Sequence, residues 1–294
     1  MRNGVLVPRT SATVPTTTRT GIAGLLATPR YEIIPAAAAE AAVVANVPTD
    51  VRISITASPT KGLEPTVDVA TRLARAGYQA VPHLSARLIA DDVHLAELIV
   101  RLRTAGVTEV FVPAGDADPP AGEFVGALDV LTRLTAMGSP FEEVGITGYP
   151  ESHPMIADDV TVQAMWDKRA HATYIVSNLC FDPAVLARWV ARVRARGINL
   201  PIQVGVTGPV ERAKLLAMAT KIGVGESTRF LGKHPGMFKR FAGPNGFSPE
   251  RYLQRVVDAL DRQGTPPAGL HIYTFNQVAG TERWRRRMLG SADR

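Results

Sequence analysis

The chain has 294 residues, of which 46% are apolar and 20% charged, with a formal net charge of +6. That composition belongs to a folded domain with ample core material, and no window approaches the roughly 18 uninterrupted apolar residues of a membrane helix. The N-terminus lacks a signal-peptide core and the lone cysteine, Cys180, excludes an internal disulfide, so a cytoplasmic protein without membrane contact is expected.

The basic residues are spread along the sequence. Their one dense group, Arg283, Arg285, Arg286 and Arg287, falls on a terminal helical pattern whose one interleaved aromatic is Trp284. It reads as a solvated face, and no nucleic-acid partner is expected.

Residues 1 to 28 carry no sustained periodicity and read as an N-terminal extension. From Tyr31 onward, short apolar runs alternate with longer segments of helical period. Strands are predicted at Tyr31 to Pro35, Val51 to Thr56, Gln79 to Leu84, Glu109 to Pro113, Glu143 to Thr147, Tyr174 to Ser177, Pro201 to Val206 and Leu270 to Tyr273. Between them, helical patterns run over Val67 to Ala76, Leu95 to Ala105, Ala184 to Arg196 and Val210 to Ile222, each followed by a glycine (Gly77, Gly106, Gly197, Gly223) suited to a C-cap. Gly223 to Phe247 interrupts the pattern and is expected to form a short helix and a rim loop. Eight strand-helix units favour a closed (β/α)8 TIM barrel over a doubly wound open sheet, as a single domain over residues 29 to 294.

Catalytic groups on such barrels gather at the C-terminal strand ends. Glu32 sits inside the first strand on the face opposite Tyr31 and Ile33. Burial there would suit a general acid, although the pattern alone leaves an edge-exposed glutamate equally open. His83 ends the third strand. Gly115 and Asp116 follow the fourth, where glycine permits close backbone approach; such a turn is commonplace by itself. The fifth strand runs into a proline-bracketed loop with Tyr149, Glu151 and His153, and the sixth and eighth add Asn178 and Tyr273. No Cys/His cluster has zinc-ligand spacing, and this set suits a polar, nitrogen-rich ring better than a metal.

In order, Tyr-Glu-Ile-Ile-Pro at 31 to 35, Pro-His-Leu at 82 to 84, Gly-Asp at 115 and 116, Tyr-Pro-Glu-Ser-His-Pro at 149 to 154, Asn178 to Asp182 and His271 to Asn276 resemble the motifs of the methylenetetrahydrofolate reductase family. The resemblance implies reduction of 5,10-methylenetetrahydrofolate to 5-methyltetrahydrofolate. Glu32 would be the acid that opens the five-membered ring to an iminium cation and Asp116 the group that stabilises it, with Asn178, Asp116 and Tyr273 binding the folate. It further assigns Thr56, His83, Gly115, Asp116, Tyr149, His153 and Lys168 to the family's cofactor, FAD.

Three departures weaken the flavin signature. Ala114 replaces an arginine, Ala57 an aromatic, and His171-Ala172-Thr173 an Ala-Gly-Ala, with Lys168 displaced by about one position. Loss of the arginine removes a bidentate phosphate contact. The expectation is therefore weak or absent FAD binding, with NADH or NADPH passing hydride directly to the folate. No Gly-x-Gly-x-x-Gly motif chooses between the two nicotinamides. A tetrahydrofolate-dependent methyltransferase or demethylase, and a non-catalytic folate-binding barrel, remain open alternatives, as does homo-oligomerisation. The sequence ends soon after the eighth strand and its helix, so the regulatory domain of longer family members is expected to be absent.

Overall fold

The computed structural model describes residues 21–151, 158–210 and 248–292. All eight expected strands are present: β1 (Arg30–Ile33), β2 (Arg52–Ile55), β3 (Ala80–Pro82), β4 (Glu109–Phe111), β5 (Glu143–Gly148), β6 (Tyr174–Ser177), β7 (Ile202–Thr207) and β8 (Gly269–Tyr273). The described helices are α1 (Gly21–Ala27), α2 (Ala37–Asn46), α3 (Glu64–Arg75), α4 (Asp92–Thr104), α5 (Ala127–Ala136), α6 (Asp158–Lys168), α7 (Pro183–Ala195), α8 (Pro249–Asp261) and α9 (Val278–Ala292). Val210 apart, the segments Val210 to Ile222 and Gly223 to Phe247 lie outside the described residues.

Every strand pairing is parallel, in the order β3-β2-β1-β8-β7-β6-β5-β4. The two ends of that sheet meet where His83 pairs with Phe111 and the Leu84 amide donates to the Phe111 carbonyl at 2.8 Å. The chain thus forms the expected (β/α)8 barrel.

Helices start earlier than their apolar period suggests, because a first turn is set by caps. Asp91 accepts from the His94 amide at 2.8 Å and starts α4, and Pro65 lies in the first turn of α3. At the far ends, Gly77 and Gly106 take φ of +89° and +86°, a left-handed C-cap that residues with a β-carbon avoid.

Residues 1–20 of the expected extension lie outside the described residues, and its last part is the helix α1, with Leu25 and Leu26 buried. Arg285 anchors α1 by donating to the carbonyls of Leu26 and Ala27 at 3.0 and 3.2 Å. This corrects the reading of the arginine group as a solvated face. Arg283, Arg286 and Arg287 are exposed, but Arg285 is buried beside Glu282, which also accepts from the Tyr31 hydroxyl at 2.9 Å. A buried guanidinium needs such a partner.

Strand alternation sorts the side chains. Tyr31, Ile33, Ile53, Ile55, Val110 and Ile146 join the core between strands and helices. A separate cluster of Val81, Phe111, Tyr174 and Val176 belongs to the barrel interior. At the strand starts the interior carries charge. Arg30 pairs with Glu109 and, at 3.3 Å, with Glu143; Arg52 pairs with the same two carboxylates at 3.1 and 3.3 Å; and the Arg30 guanidinium lies 4.3 Å from the centre of the Tyr174 ring.

Candidate active site

The alternation that turns Arg30 inward at the strand start turns Glu32 inward two residues nearer the mouth. Its Oε2 lies 3.0 Å from His271 Nε2 and 3.9 Å from His83 Nε2, and the side chain keeps 18% of its surface accessible. The backbone is held too. Thr274 donates to the Glu32 carbonyl through its hydroxyl at 2.6 Å and its amide at 3.3 Å.

His83 is buried against Phe111, ring centroids 4.7 Å apart, with Nε2 2.7 Å from the Ser54 hydroxyl. Burial pushes its pKa down to about 4, against the pull of the Glu32 carboxylate and with a push from His271. At neutral pH it is an uncharged imidazole.

Tyr273 lies across the neighbouring strand. A β-carbon at Gly205 would stand 2.9 Å from its Cε2, its hydroxyl donates to the Ser177 carbonyl at 3.3 Å, and its ring meets that of His271 edge-on at 4.9 Å. Burial, then the charges of Glu32 and Tyr149, hold its phenol well above the ordinary value, so it keeps its proton. Tyr149 is raised in the same sense by burial and by Asp116, with a hydrogen bond to Thr147 opposing. Glu32, His271, His83, Ser54 and Tyr273 therefore form one connected set, and Tyr149 adjoins it through its effect on Tyr273.

The remaining expected residues are placed differently. Asp116 is exposed at the rim. Gly115 has φ +86°, and the direction a side chain would take is filled by Ser85, 2.9 Å from the built β-carbon. Its close approach is thus to Ser85. Thr56 is half-buried, its carbonyl taken by the Thr66 hydroxyl at 2.8 Å. Asn178 is exposed, and its side-chain oxygen accepts from the Leu179 amide at 2.8 Å. Lys168 ends α6, six residues before β6, and its side-chain amine has no hydrogen-bond or ion-pair partner among the described residues; burial pushes its pKa down to about 8. His153 lies outside the described residues.

Two members of the set are not among the expected site residues: Ser54, and His271, which the sequence names only as the first residue of the motif at 271 to 276. Alternation on β8 puts His271 on the face of Tyr273, and alternation on β2 puts Ser54 on the face of Thr56, a signal within reach of the sequence. Among the described residues no group of three His, Cys, Asp or Glu could hold a metal ion, and no helix is long and apolar enough to cross a membrane.

Comparison with known proteins places the chain in a family. The chain is 29% identical over 101 residues to methylenetetrahydrofolate reductase 2 of Saccharomyces cerevisiae, which covers 32% of this chain and 17% of that one. It is 27% identical over 125 residues to methylenetetrahydrofolate reductase (NADH) 1 of Arabidopsis thaliana, covering 36% and 21%. The match thus spans about a fifth of these relatives' length. Among solved structures, an uncharacterized protein from Clostridium thermocellum that binds two copies of 5-methyl-5,6,7,8-tetrahydrofolic acid superposes with a TM-score of 0.65 at 12% identity, over 89% of this chain and 96% of that one. This likeness is one of fold. The sequence profile of methylenetetrahydrofolate reductase matches residues 38–229, well over half of the sequence, and the chain belongs to the methylenetetrahydrofolate reductase family.

Proposed function

We propose that the chain reduces 5,10-methylenetetrahydrofolate to 5-methyltetrahydrofolate with hydride from NADH or NADPH. The observation that carries this reading is Glu32, a carboxyl group inside the mouth of the barrel, gripped by His271 and still accessible to a ligand. In acid form Glu32 protonates the departing ring nitrogen; the carbon–nitrogen bond opens and leaves an iminium cation on the other nitrogen. Hydride from the nicotinamide turns that carbon into a methyl group, and proton and hydride together balance the reaction. Asp116 supplies negative charge at the rim for the cation, Tyr273 offers a flat protonated ring below it, and Asn178 hydrogen-bonds the pterin.

The described residues suit a flavin diphosphate poorly. Ala114 stands where an arginine would hold phosphate, and the loop after β4 carries Asp116 and Asp118. The nearby Arg87 is spent on that loop, donating to the Ala117 carbonyl at 2.6 Å, the Val125 carbonyl at 3.4 Å and Asp118 at 3.3 Å. This favours direct hydride transfer, with the nicotinamide in the space of the flavin ring. The name of the Arabidopsis relative makes NADH the first reductant to test. We place the protein in the cytoplasm, where the free buried thiol of Cys180 stays reduced.

The test is a visible spectrum of the purified protein, followed by NADH and NADPH oxidation on adding 5,10-methylenetetrahydrofolate. Turnover without flavin bands, unchanged by added FAD, is expected. Stoichiometric bound flavin would overturn direct transfer, and no turnover with either nicotinamide would favour folate-dependent methyl transfer.

A further inference from the structure

Strand β8 and the turn after it hold Glu32 at both ends. The Asn276 side chain accepts from the Ile34 amide at 2.8 Å and donates to the Ile34 carbonyl at 3.1 Å, while Thr274 holds the Glu32 carbonyl. Phe275 and Asn276 take φ of +49° and +60°, a left-handed pair that asparagine tolerates better than most residues. The backbone of the acid is thereby fixed, and His271 is left to fix its carboxyl group.

The tautomer of His271 follows from its surroundings. The residue is 1% exposed, and its Nδ1 is buried without a hydrogen-bond partner among the described residues. An N–H left there would forfeit its hydration, and a lone pair on Nε2 would repel the carboxylate oxygen 3.0 Å away. The proton therefore sits on Nε2 and points at Oε2. His83 does not compete, since its Nε2 is 3.9 Å from Oε2 and engaged by Ser54.

We propose that His271, by donating from Nε2 to Glu32 Oε2, confines the acid proton of Glu32 to Oε1 and so aims it at the folate nitrogen. In the ionised state the same bond stabilises the carboxylate; in the acid state it makes Oε2 the carbonyl-like acceptor and leaves Oε1 as the hydroxyl. His271 is a positioning residue that acts through Glu32, and the inference rests on the reductase reading above. Among the described residues, the titratable groups facing Glu32 are His83, directly after β3, and His271 and Tyr273 on β8. His83 is uncharged above about pH 4 and Tyr273 keeps its proton, so neither supplies a charged partner to Glu32 near neutrality.

The experiment compares full-length wild type, His271→Phe and His271→Gln in steady-state turnover of 5,10-methylenetetrahydrofolate across pH. Phenylalanine keeps the ring and removes the donor; glutamine places an amide N–H near the position of Nε2. The Phe variant should lose roughly ten- to a hundredfold in kcat, a share of what a general acid supplies, with KM within about twofold. Its alkaline limb should move to higher pH, because the ionised carboxylate has lost a donor. Glutamine should recover most of both effects. A Phe variant with wild-type kcat and pH profile, or a change in KM alone, would overturn the proposal. If neither variant folds, or if wild type does not turn over, nitrogen-15 NMR of the histidine rings in wild type decides the hydrogen bond: a proton on Nε2 of His271 supports it and a proton on Nδ1 defeats it. Inactive wild type removes the reductase reading itself, so the two failures are distinguishable.

Discussion

The Ser54 hydroxyl lies 2.7 Å from His83 Nε2, and both side chains are buried, so this imidazole has a neutral partner and little exposure to solvent to support a second proton. Its pKa falls from 6.5 to about 4, a displacement worth about 3 kcal/mol. In the unfolded chain the ring takes up its proton near 6.5. The stability present above that pH is therefore lost as pH falls through the window down to about 4. Urea unfolding of wild type and His83→Gln between pH 7 and pH 4 checks this: the wild-type advantage should shrink by about 3 kcal/mol, and a difference independent of pH would sink the assignment.

Glu32→Gln keeps the size of the side chain and can still present an oxygen to His271. It should fold normally, bind folate with a similar KM, and lose roughly 10²- to 10⁴-fold in kcat, the usual contribution of a general acid. Near-normal turnover would remove Glu32 from the mechanism.

Lys168 is a buried cation with no counter-charge among the described residues, and its pKa is lowered from 10.5 to about 8. The stability it would contribute as a neutral amine is present above 10.5 and has been lost once pH falls below about 8. Lys168→Met should thus raise stability at pH 7, by at most about 3 kcal/mol, with the gain fading toward pH 10.5. Thermal melts at the two pH values test this, and a destabilised variant at pH 7 would point to a partner for the ammonium group.

Gly205 is required by what crosses it. An added β-carbon would lie 2.1 Å from the Ser177 carbonyl oxygen and 2.9 Å from the Tyr273 ring. Gly205→Ala should cost about 1–3 kcal/mol by overpacking and raise the KM for folate by displacing Tyr273. Unchanged stability and KM would mean that the ring is not held over this strand.

Much of the barrel is legible in the sequence because each strand, covered on its outer face by helices, must be written as a short apolar run. Glu32 and His83 are legible as polar interruptions of such runs at the strand ends. What escapes is whatever depends on register. Ser54 meets His83 across 29 positions and His271 meets Glu32 across 239, distances along the chain that no local pattern encodes. The same holds for Arg285, whose burial depends on α1 packing beside it, and for Gly115, whose neighbour proves to be Ser85.

β7 and β8 share five paired positions, whereas β3 and β4 are joined by one bridge, His83 to Phe111, continued by backbone bonds from Leu84, Ala86 and Arg87 to Phe111, Pro113 and Ala114. The barrel is in this sense a bracelet closed at one short seam, and the residue that carries the imidazole beside Glu32 stands at the start of it. A ligand seated against that imidazole would brace this seam, which is paired over a shorter length than β7 and β8. Folate should accordingly slow amide exchange at Leu84 more than at Val204, which ties the security of the scaffold to the occupancy of its mouth.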